Sequence, residues 1–138
     1  MRAVLDPNVV ISGLLSPAGN AAHLLRAWQG GEFDLIVSPA LLDELRRAFG
    51  YPRLRRRIPE DEADRIVGWL RESTTIAEDP EEPPPVRSAD PGDGYLIALA
   101  AARRSILVSG NRHLLDLAGR IPVLDPKRFR ERLSRPQR

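Results

Sequence analysis

Three acidic residues in separate segments of the chain have the type and the placement for metal chemistry. Asp6 ends a short apolar run, Glu44 lies in an amphipathic segment, and Asp93 opens a strongly apolar one. On a helical projection at about 100° per residue, Glu44 falls at the edge of its apolar stripe and Asp93 falls within its own. We therefore expect both carboxylates to point towards the protein interior, where water is scarce.

A cluster of such carboxylates needs a cation, and the composition indicates which kind. Neighbouring carboxylates repel and burial raises their pKa, so a fold keeps them most readily when a cation neutralises them. The chain has no cysteine and only two histidines, which excludes disulfide scaffolds and cysteine-ligated zinc or iron–sulfur sites. Mg²⁺ or Mn²⁺ suits a site of one or two carboxylates and several waters. Such an ion activates a bound water and offsets the charge on phosphoryl oxygens.

Each acid also has an ordinary structural interpretation. Asp6 can form a turn or a cap at the end of its strand. Asp90 and Asp93 can be a helix N-cap and its first-turn partner, and Glu44 can extend into solvent. If these interpretations hold for all three acids, it is only by chance that three separate segments each direct an acid to one place. No Ser/His/Asp arrangement and no glycine-rich phosphate motif is present in the sequence to compete with the metal site.

The elements that must position these acids alternate between short strands and helices. This alternation predicts an α/β fold, with a parallel β-sheet flanked by helices on both faces. Ligands of such sheets bind outside the carboxyl ends of the strands, where Asp6 falls. We predict strands at 3–5, 34–37, 74–77, 106–109 and 121–124, helices at 21–28, 39–49, 59–72, 93–102, 112–118 and from about 126, and an exposed acidic, proline-rich loop at 78–92.

The length fits one domain, and the charge is locally concentrated. We predict a single domain over residues 1–138, with a basic tail at about 127–138. The formal net charge is only +2, but residues 46–57 hold six arginines and no acid. Such a run can contact a polyanion, although an exposed arginine run is more often a solvated face. No signal segment and no membrane-spanning run is present, so we expect a cytoplasmic protein without membrane contact.

Four segments of the chain occur in an order and at separations that together resemble one family. The chain resembles the PIN-domain family through them, in particular the VapC-like toxin ribonucleases, over roughly residues 2–125. The segments are Val4-Leu5-Asp6-Pro7-Asn8-Val9-Val10-Ile11-Ser12, Ser38-Pro39-Ala40-Leu41-Leu42-Asp43-Glu44-Leu45, Asp90-Pro91-Gly92-Asp93-Gly94-Tyr95-Leu96-Ile97-Ala98-Leu99-Ala100 and Ile106-Leu107-Val108-Ser109-Gly110-Asn111-Arg112-His113-Leu114-Leu115.

The resemblance implies a three-layer α/β/α fold and an endoribonuclease activity that depends on Mg²⁺ or Mn²⁺. It also implies a cognate antitoxin that occludes the site. Carried over by position, Asp6 is the metal ligand after the first strand, Glu44 is the helical acid, and Asp93 is the third acid. These three form the expected catalytic set. Asp90 is an auxiliary acid, so the expected metal ligands are Asp6, Asp93 and Asp90.

Four polar residues match positions around these acids in the family. Asn8 and Ser12 match positions that support the first aspartate, and Ser109 matches the small hydroxyl residue after the fourth strand. Asn111 departs from the family pattern, because this position is commonly an aspartate. An amide can still ligate a cation or orient water, but it removes a negative charge, and Asp116 one turn further along is the residue that can compensate.

The leading hypothesis is a metal-dependent endoribonuclease, the toxin of a toxin–antitoxin pair. In this interpretation Arg53, Arg55, Arg56 and Arg112 guide the phosphate backbone of RNA. The alternative is a catalytically silent module that binds nucleic acid or a partner on the same fold, motivated by Asn111 and the modest net charge.

Two further interpretations concern other chemistry and the oligomeric state. A phosphotransfer domain with an aspartyl nucleophile at Asp6 ranks lowest, because the residue two positions on is Asn8 and the only lysine lies in the tail. A homodimer is expected, because the apolar segments around Leu24-Leu25 and Trp69-Leu70 offer more surface than so small a sheet needs.

Overall fold

The computed structural model describes residues 1–135, and within them the chain forms a five-stranded sheet in the order β3-β2-β1-β4-β5. Every strand pair is parallel. The strands are β1 (Arg2–Leu5), β2 (Asp34–Val37), β3 (Thr75–Ile76), β4 (Ile106–Val108) and β5 (Val123–Leu124), and the helices are α1 (Pro7–Leu15), α2 (Asn20–Gln29), α3 (Pro39–Phe49), α4 (Pro52–Arg55), α5 (Glu60–Ser73), α6 (Gly94–Ala102), α7 (Arg112–Leu115) and α8 (Pro126–Leu133).

The central strand β1 explains why the sheet needs helices on both faces. Ala3, Val4 and Leu5 are all buried, so side chains on both sides of the strand are removed from water. A strand that is apolar on both faces is typical of a parallel sheet covered by helices. The predicted α/β class, a parallel sheet in a three-layer PIN-like arrangement, is confirmed.

The register of β1 against β4 decides where polar groups meet at the carboxyl edge. Leu5 pairs with Val108, so Asp6 and Ser109, the next residues of each strand, lie side by side. The chain passes from β1 to β2 on one side and returns to β4 on the other. The gap between β1 and β4 is therefore the switch point of the sheet, where ligands of such folds bind.

Polar residues at the strand ends also begin the helices that follow. Ser38 accepts a hydrogen bond from Leu41 N at 3.3 Å and caps α3. Asp125 accepts one from Arg128 N at 2.7 Å and caps α8. A side-chain oxygen at the N-cap satisfies a backbone donor that the helix leaves free, so β2 and β5 are each followed by a polar residue with a structural function.

Several predicted elements differ in extent from those in the structure. The predicted helix at 112–118 ends at Leu115, and the predicted strand at 121–124 is reduced to Val123–Leu124. Helix α4 inside the arginine run was not predicted, because four residues are too short to show a helical period.

The predicted basic tail is largely an ordered helix. Phe129 in α8 is fully buried and packs edge-on against Phe33, with ring centroids 5.2 Å apart. Arg130 donates to Asn20 Oδ1 at 3.2 Å, which ties α8 to α2. The helix predicted from about 126 is therefore present as α8 (Pro126–Leu133), and residues 136–138 of the basic tail lie outside the described residues.

The apolar segments expected to offer spare surface are used inside the protomer. Leu24, Leu25 and Leu70 are buried in the core. Trp69 packs against Trp28 with ring centroids 4.8 Å apart. The structural basis given for a homodimer is therefore wrong, and the dimer itself stays a prediction. Across residues 1–135, none of the helices has the length and apolar character to cross a membrane.

Candidate active site at the carboxyl edge of the sheet

Asp6 is held at the end of β1 by contacts to both of its carboxylate oxygens. Its side chain is buried, and Oδ1 accepts a hydrogen bond from Asn8 N at 3.0 Å, which caps α1. Oδ2 accepts one from Ser109 Oγ at 2.7 Å. The backbone amide of Asp6 donates to Val108 O at 2.9 Å. The carboxylate is therefore fixed by its own strand, by the neighbouring strand and by the helix that follows.

Ser109 and Asn111 connect this carboxylate to a second one. Ser109 is fully buried, and while its Oγ donates to Asp6 it also accepts from Asn111 N at 3.0 Å. The Asn111 side-chain amide Nδ2 donates to both oxygens of Asp93, at 3.4 Å each. Its Oδ1 accepts from His113 N at 2.9 Å and caps α7. Hydrogen bonds thus run without a break from Asp6 to Asp93, and Asn111 acts here as a donor.

Asp93 is a buried carboxylate whose charge is only partly compensated. It is 8% exposed, and its Oδ2 accepts from Ser88 Oγ at 2.9 Å. Burial raises the pKa of this carboxyl; Ser88 lowers it, the charges of Asp90 and Asp6 raise it, and His113 lowers it. The net effect is a raised pKa, because loss of water and like charges outweigh the donors. A site of this kind gains from a cation.

Asp90 has a structural function as well as an electrostatic effect. Its Oδ1 accepts a hydrogen bond from Gly92 N at 2.9 Å and caps the short 3-10 turn Pro91–Asp93. The side chain is exposed. This is the capping interpretation that the sequence left open, although the charge of Asp90 still acts on Asp93.

Glu44 does not lie where water is scarce, so that expectation is wrong. Its side chain is 42% exposed and pairs with Arg47, with Oε2 and Nη1 2.8 Å apart. A helical projection gives the direction in which a side chain leaves the helix. It does not show that Arg47, one turn further along α3, will pair with the Glu44 carboxylate and hold it towards solvent. Glu44 nevertheless lies close enough to Tyr95 for its charge to act on the phenol.

Tyr95 marks the place where the acids come together, and sequence reasoning missed it. Burial raises the pKa of its hydroxyl, and the charges of Asp6, Glu44, Asp93 and Asp79 raise it further. The phenol therefore stays protonated at neutral pH and lies within electrostatic reach of all three predicted acids. The signal was its position two residues after Asp93, as the only residue of α6 with a polar side-chain group.

Asp79 is a further acid near the site, and it comes from the acidic proline-rich loop. Its Oδ2 accepts a hydrogen bond from Ala40 N at 2.9 Å, in the first turn of α3. Its Oδ1 is buried and finds no hydrogen-bond partner within the described part of the chain. The irregular loop gave no period from which this position was predictable.

Asn8 and Ser12 lie on α1 and line a pocket that also contains Asn111. Both residues are exposed. Asn8 contacts Asp6 through its backbone amide, whereas among residues 1–135 no hydrogen bond of the Ser12 side chain is found. The structure thus brings Asn8 to Asp6 and leaves the Ser12 hydroxyl facing the pocket.

The predicted nucleic-acid contacts divide into available and engaged arginines. Arg53, Arg56 and Arg112 are exposed, and Arg112 directly follows Asn111 at the edge of the site. Arg55 is half-buried, with Nη1 3.2 Å from Glu60 Oε2 and Nε donating to Phe49 O at 3.3 Å. The guanidinium of Arg55 therefore already holds the segment around α4 together.

The donor set suits one hard cation rather than a cage of three carboxylates. In residues 1–135 no group of three or more histidine, aspartate or glutamate side chains is arranged to hold a metal ion. Asp6 and Asp93 offer two buried carboxylates joined through Ser109 and Asn111. Mg²⁺ needs only one or two carboxylates when it keeps several waters, so these two residues fit such an ion.

Fold and site together define an α/β protein with paired buried carboxylates at the switch point of a parallel sheet. A family model for the PIN domain matches residues 2–113, and the chain belongs to this family. The predicted membership is confirmed. PIN domains are typically nucleases that act on nucleic acids, and they generally depend on a divalent metal.

Solved structures with low sequence identity share the fold. PAE2754 from Pyrobaculum aerophilum is similar at a TM-score of 0.64 and 19% identity, over 96% of this chain and 94% of that one. A chain of FitAB bound to an IR36 DNA fragment gives 0.61 and 18%, over 90% and 94%. A chain of VapBC2 from Rickettsia felis, bound to a promoter DNA fragment, gives 0.60 and 12%, over 91% and 98%. A search of curated proteins found no match.

Proposed function

We propose that this protein is a Mg²⁺- or Mn²⁺-dependent endoribonuclease and the toxin of a toxin–antitoxin pair. The observation that carries the proposal is the hydrogen-bonded connection of Asp6 to Asp93 at the switch point of the sheet. Two buried carboxylates at this place have no partner of opposite charge within the described residues. Membership of a family of nucleases gives the class of reaction.

In this proposal, different residues of the site have different functions in hydrolysis. Asp6 and Asp93 would hold the cation, which when bound lowers the pKa of a water and offsets charge on the phosphoryl oxygens. Ser109 and Ser88 fix the two carboxylates by donating to them. Glu44 is the most exposed of the three acids, and in this proposal it would accept the proton of the attacking water and pass it to solvent.

Local arginines rather than net charge would bind the RNA. The formal net charge of +2 gives only a weak overall field, so affinity depends on the exposed guanidinium groups of Arg53, Arg56 and Arg112. Arg55 contributes less, because Glu60 already neutralises it. Each phosphate contact releases a counterion, so binding weakens as the salt concentration rises. The slope of log affinity against log salt concentration is proportional to the number of phosphate contacts.

An antitoxin and a second copy of the chain are the proposed protein partners, in the cytoplasm. Chains of VapBC2 and FitAB share this fold, which supports a partner protein that covers the carboxyl edge of the sheet. Co-expression with the product of a small neighbouring reading frame tests this. A complex that blocks cleavage supports the toxin, and a protein that cleaves RNA alone with no such neighbour indicates a stand-alone nuclease.

The direct test compares a labelled structured RNA with a DNA of the same sequence. Both are incubated with the purified protein in Mn²⁺, in Mg²⁺ and in EDTA. The proposal expects RNA cleavage with either ion and none in EDTA. Cleavage of the DNA at an equal rate would contradict the ribonuclease, and absence of cleavage in every condition would contradict the enzyme.

A silent binding module is the second candidate, and one contact favours it. The Asn111 amide donates to both oxygens of Asp93, and so supplies part of the compensation that a cation would otherwise give. This candidate expects RNA binding that falls steeply with salt, without cleavage in any divalent ion. Restored cleavage after Asn111→Asp would identify a nuclease weakened by this residue.

A further inference from the structure

A second pocket lies directly beside the acids, on the side of the proline-rich loop. It has a volume of about 440 Å³. Ser88 belongs both to this pocket and to the site of the acids. Its Oγ donates to Asp93 Oδ2 at 2.9 Å and accepts from Asp90 N at 3.2 Å. The pocket is lined by Pro84, Arg87, Ser88, Asp90, Pro91 and Tyr95.

The walls of this pocket combine flat apolar surface with charged edges. The ring of Tyr95 and the prolines Pro84 and Pro91 give apolar faces. Arg87 is exposed, and among residues 1–135 no ion pair engages it. An aliphatic ligand would leave the guanidinium unused, whereas a planar ring joined to a phosphate would use both features.

We propose that the pocket formed by loop 84–91 and Tyr95 binds one unpaired nucleobase of single-stranded RNA, next to the phosphate that is cleaved. This inference rests on the proposed ribonuclease function and specifies its substrate. The base stacks on Tyr95 and a proline, as bases stack on aromatic side chains in proteins that bind single strands. Arg87 contacts the flanking phosphate. A base held in a duplex cannot enter, so the pocket selects a loop or an unpaired end.

Tyr95 gives the pocket a hydroxyl as well as an aromatic face. A phenol hydroxyl can both donate and accept a hydrogen bond. Tyr95 also joins the pocket to the acids, because it lines the pocket and follows Asp93 by two residues at the start of α6.

The test measures RNA binding separately from cleavage. Fluorescein-labelled single-stranded RNA decamers are titrated with the full chain in EDTA, where metal-dependent hydrolysis stops, and binding is followed by anisotropy. A second series carries one abasic position in each decamer. We expect one abasic position to weaken binding about tenfold, and Tyr95→Ala to weaken binding of the intact decamer about as much. Tyr95→Ala has no further effect on the decamer that lacks the critical base.

Two further variants keep the test valid if Tyr95→Ala unfolds. Tyr95→Phe keeps the ring, and we expect binding within about twofold of the wild type because stacking needs only the aromatic face. Arg87→Ala changes an exposed residue, and we expect it to reduce the slope of log affinity against log salt by about one. Arg71→Ala removes an exposed arginine of α5 as the matched control, with no change expected.

The outcomes separate this inference from the function on which it rests. If the wild type binds and cleaves RNA while Tyr95→Ala and Arg87→Ala behave as wild type, the nucleobase pocket is overturned and the ribonuclease stands. Equal sensitivity to an abasic site in wild type and Tyr95→Ala overturns it as well. If the wild type neither binds nor cleaves RNA, both proposals fall.

Discussion

The side-chain amide of Asn111 lies 3.4 Å from each carboxylate oxygen of Asp93 and donates to both. An aspartate at this position would instead place a third negative charge beside Asp93 and Asp6. The amide therefore makes the metal-free site more stable and the metal-bound site less strongly charged. The two effects have opposite signs and can be measured separately.

Asn111→Asp is expected to tighten the binding of Mn²⁺ and to lower the stability of the metal-free protein. The added carboxylate attracts the cation, and in its absence it repels Asp93. Calorimetric titration with Mn²⁺ measures the first effect, and thermal unfolding in EDTA measures the second. Equal Mn²⁺ affinity of variant and wild type would show that the cation does not bind next to Asn111.

The raised pKa of Asp93 predicts how stability depends on pH. The folded protein holds this proton more tightly than the unfolded chain, whose carboxyl has an ordinary pKa of 3.8. The free energy of unfolding should therefore fall as pH rises from 3.8 through the raised pKa of Asp93. Urea unfolding in EDTA at a series of pH values measures this for the wild type and for Asp93→Asn.

The variant isolates the contribution of Asp93 from those of other carboxyl groups that titrate in the same range. Asp93→Asn should be more stable than the wild type above that range and should lose the advantage below it. Addition of Mg²⁺ should stabilise the wild type more than the variant. Parallel pH profiles for the two proteins would contradict the account of Asp93 as a buried charge that is only partly compensated.

Ser109→Ala is expected to affect both stability and activity. The hydroxyl is fully buried and serves Asp6 as a donor and Asn111 N as an acceptor. Its removal leaves the buried Asp6 Oδ2 and the partly buried Asn111 N without this partner, which costs about 1–3 kcal/mol. Loss of an oriented metal ligand lowers metal affinity or activity about 10- to 100-fold. Chemical unfolding and RNA cleavage rates measure the two effects.

Ser105→Ala is the matched control for this change. Ser105 is also buried, precedes the opposite end of β4, and donates to Arg103 O at 3.1 Å. We expect it to lose stability with cleavage unchanged. If Ser105→Ala lowers cleavage as much as Ser109→Ala, the effect on activity comes from the fold and not from Asp6.

Glu44 is expected to matter for turnover and little for stability. Its ion pair with Arg47 is exposed, and such pairs contribute at most about 1 kcal/mol. If Glu44 accepts the proton of the attacking water, Glu44→Gln should slow cleavage at least about 100-fold. Asp43→Asn, an exposed acid next to it on α3, should leave the rate unchanged. Equal rates for Glu44→Gln and wild type would remove Glu44 from the mechanism.

Local patterns in the sequence predicted the strands and helices that position the site. The strand at Asp34–Val37 was predicted at its observed bounds, because a glycine pair precedes it and Ser38-Pro39 begins the helix that follows. The position of Asp6 followed from the abrupt end of an apolar run. The burial of Asp93 followed from its place on an apolar helical stripe.

Features that depend on irregular backbone or on tertiary contacts were not predictable in this way. The place of Asp79 is set by a loop without periodicity, which carries it to the first turn of α3. The outward turn of Glu44 depends on an ion pair with Arg47. The role of Tyr95 appears only when β1, α3 and the 78–92 loop are folded around it.

RNA cleavage by Asp6→Asn and Asp93→Asn is the most direct test of the central claim, that these two buried carboxylates hold the catalytic cation. Asp64→Asn, an exposed acid of α5, is the matched control. In Mn²⁺ we predict that both site variants lose at least about 100-fold in rate, remain folded, and no longer bind the ion, while the control cleaves as the wild type does. Metal-dependent cleavage that survives in both site variants would contradict the account.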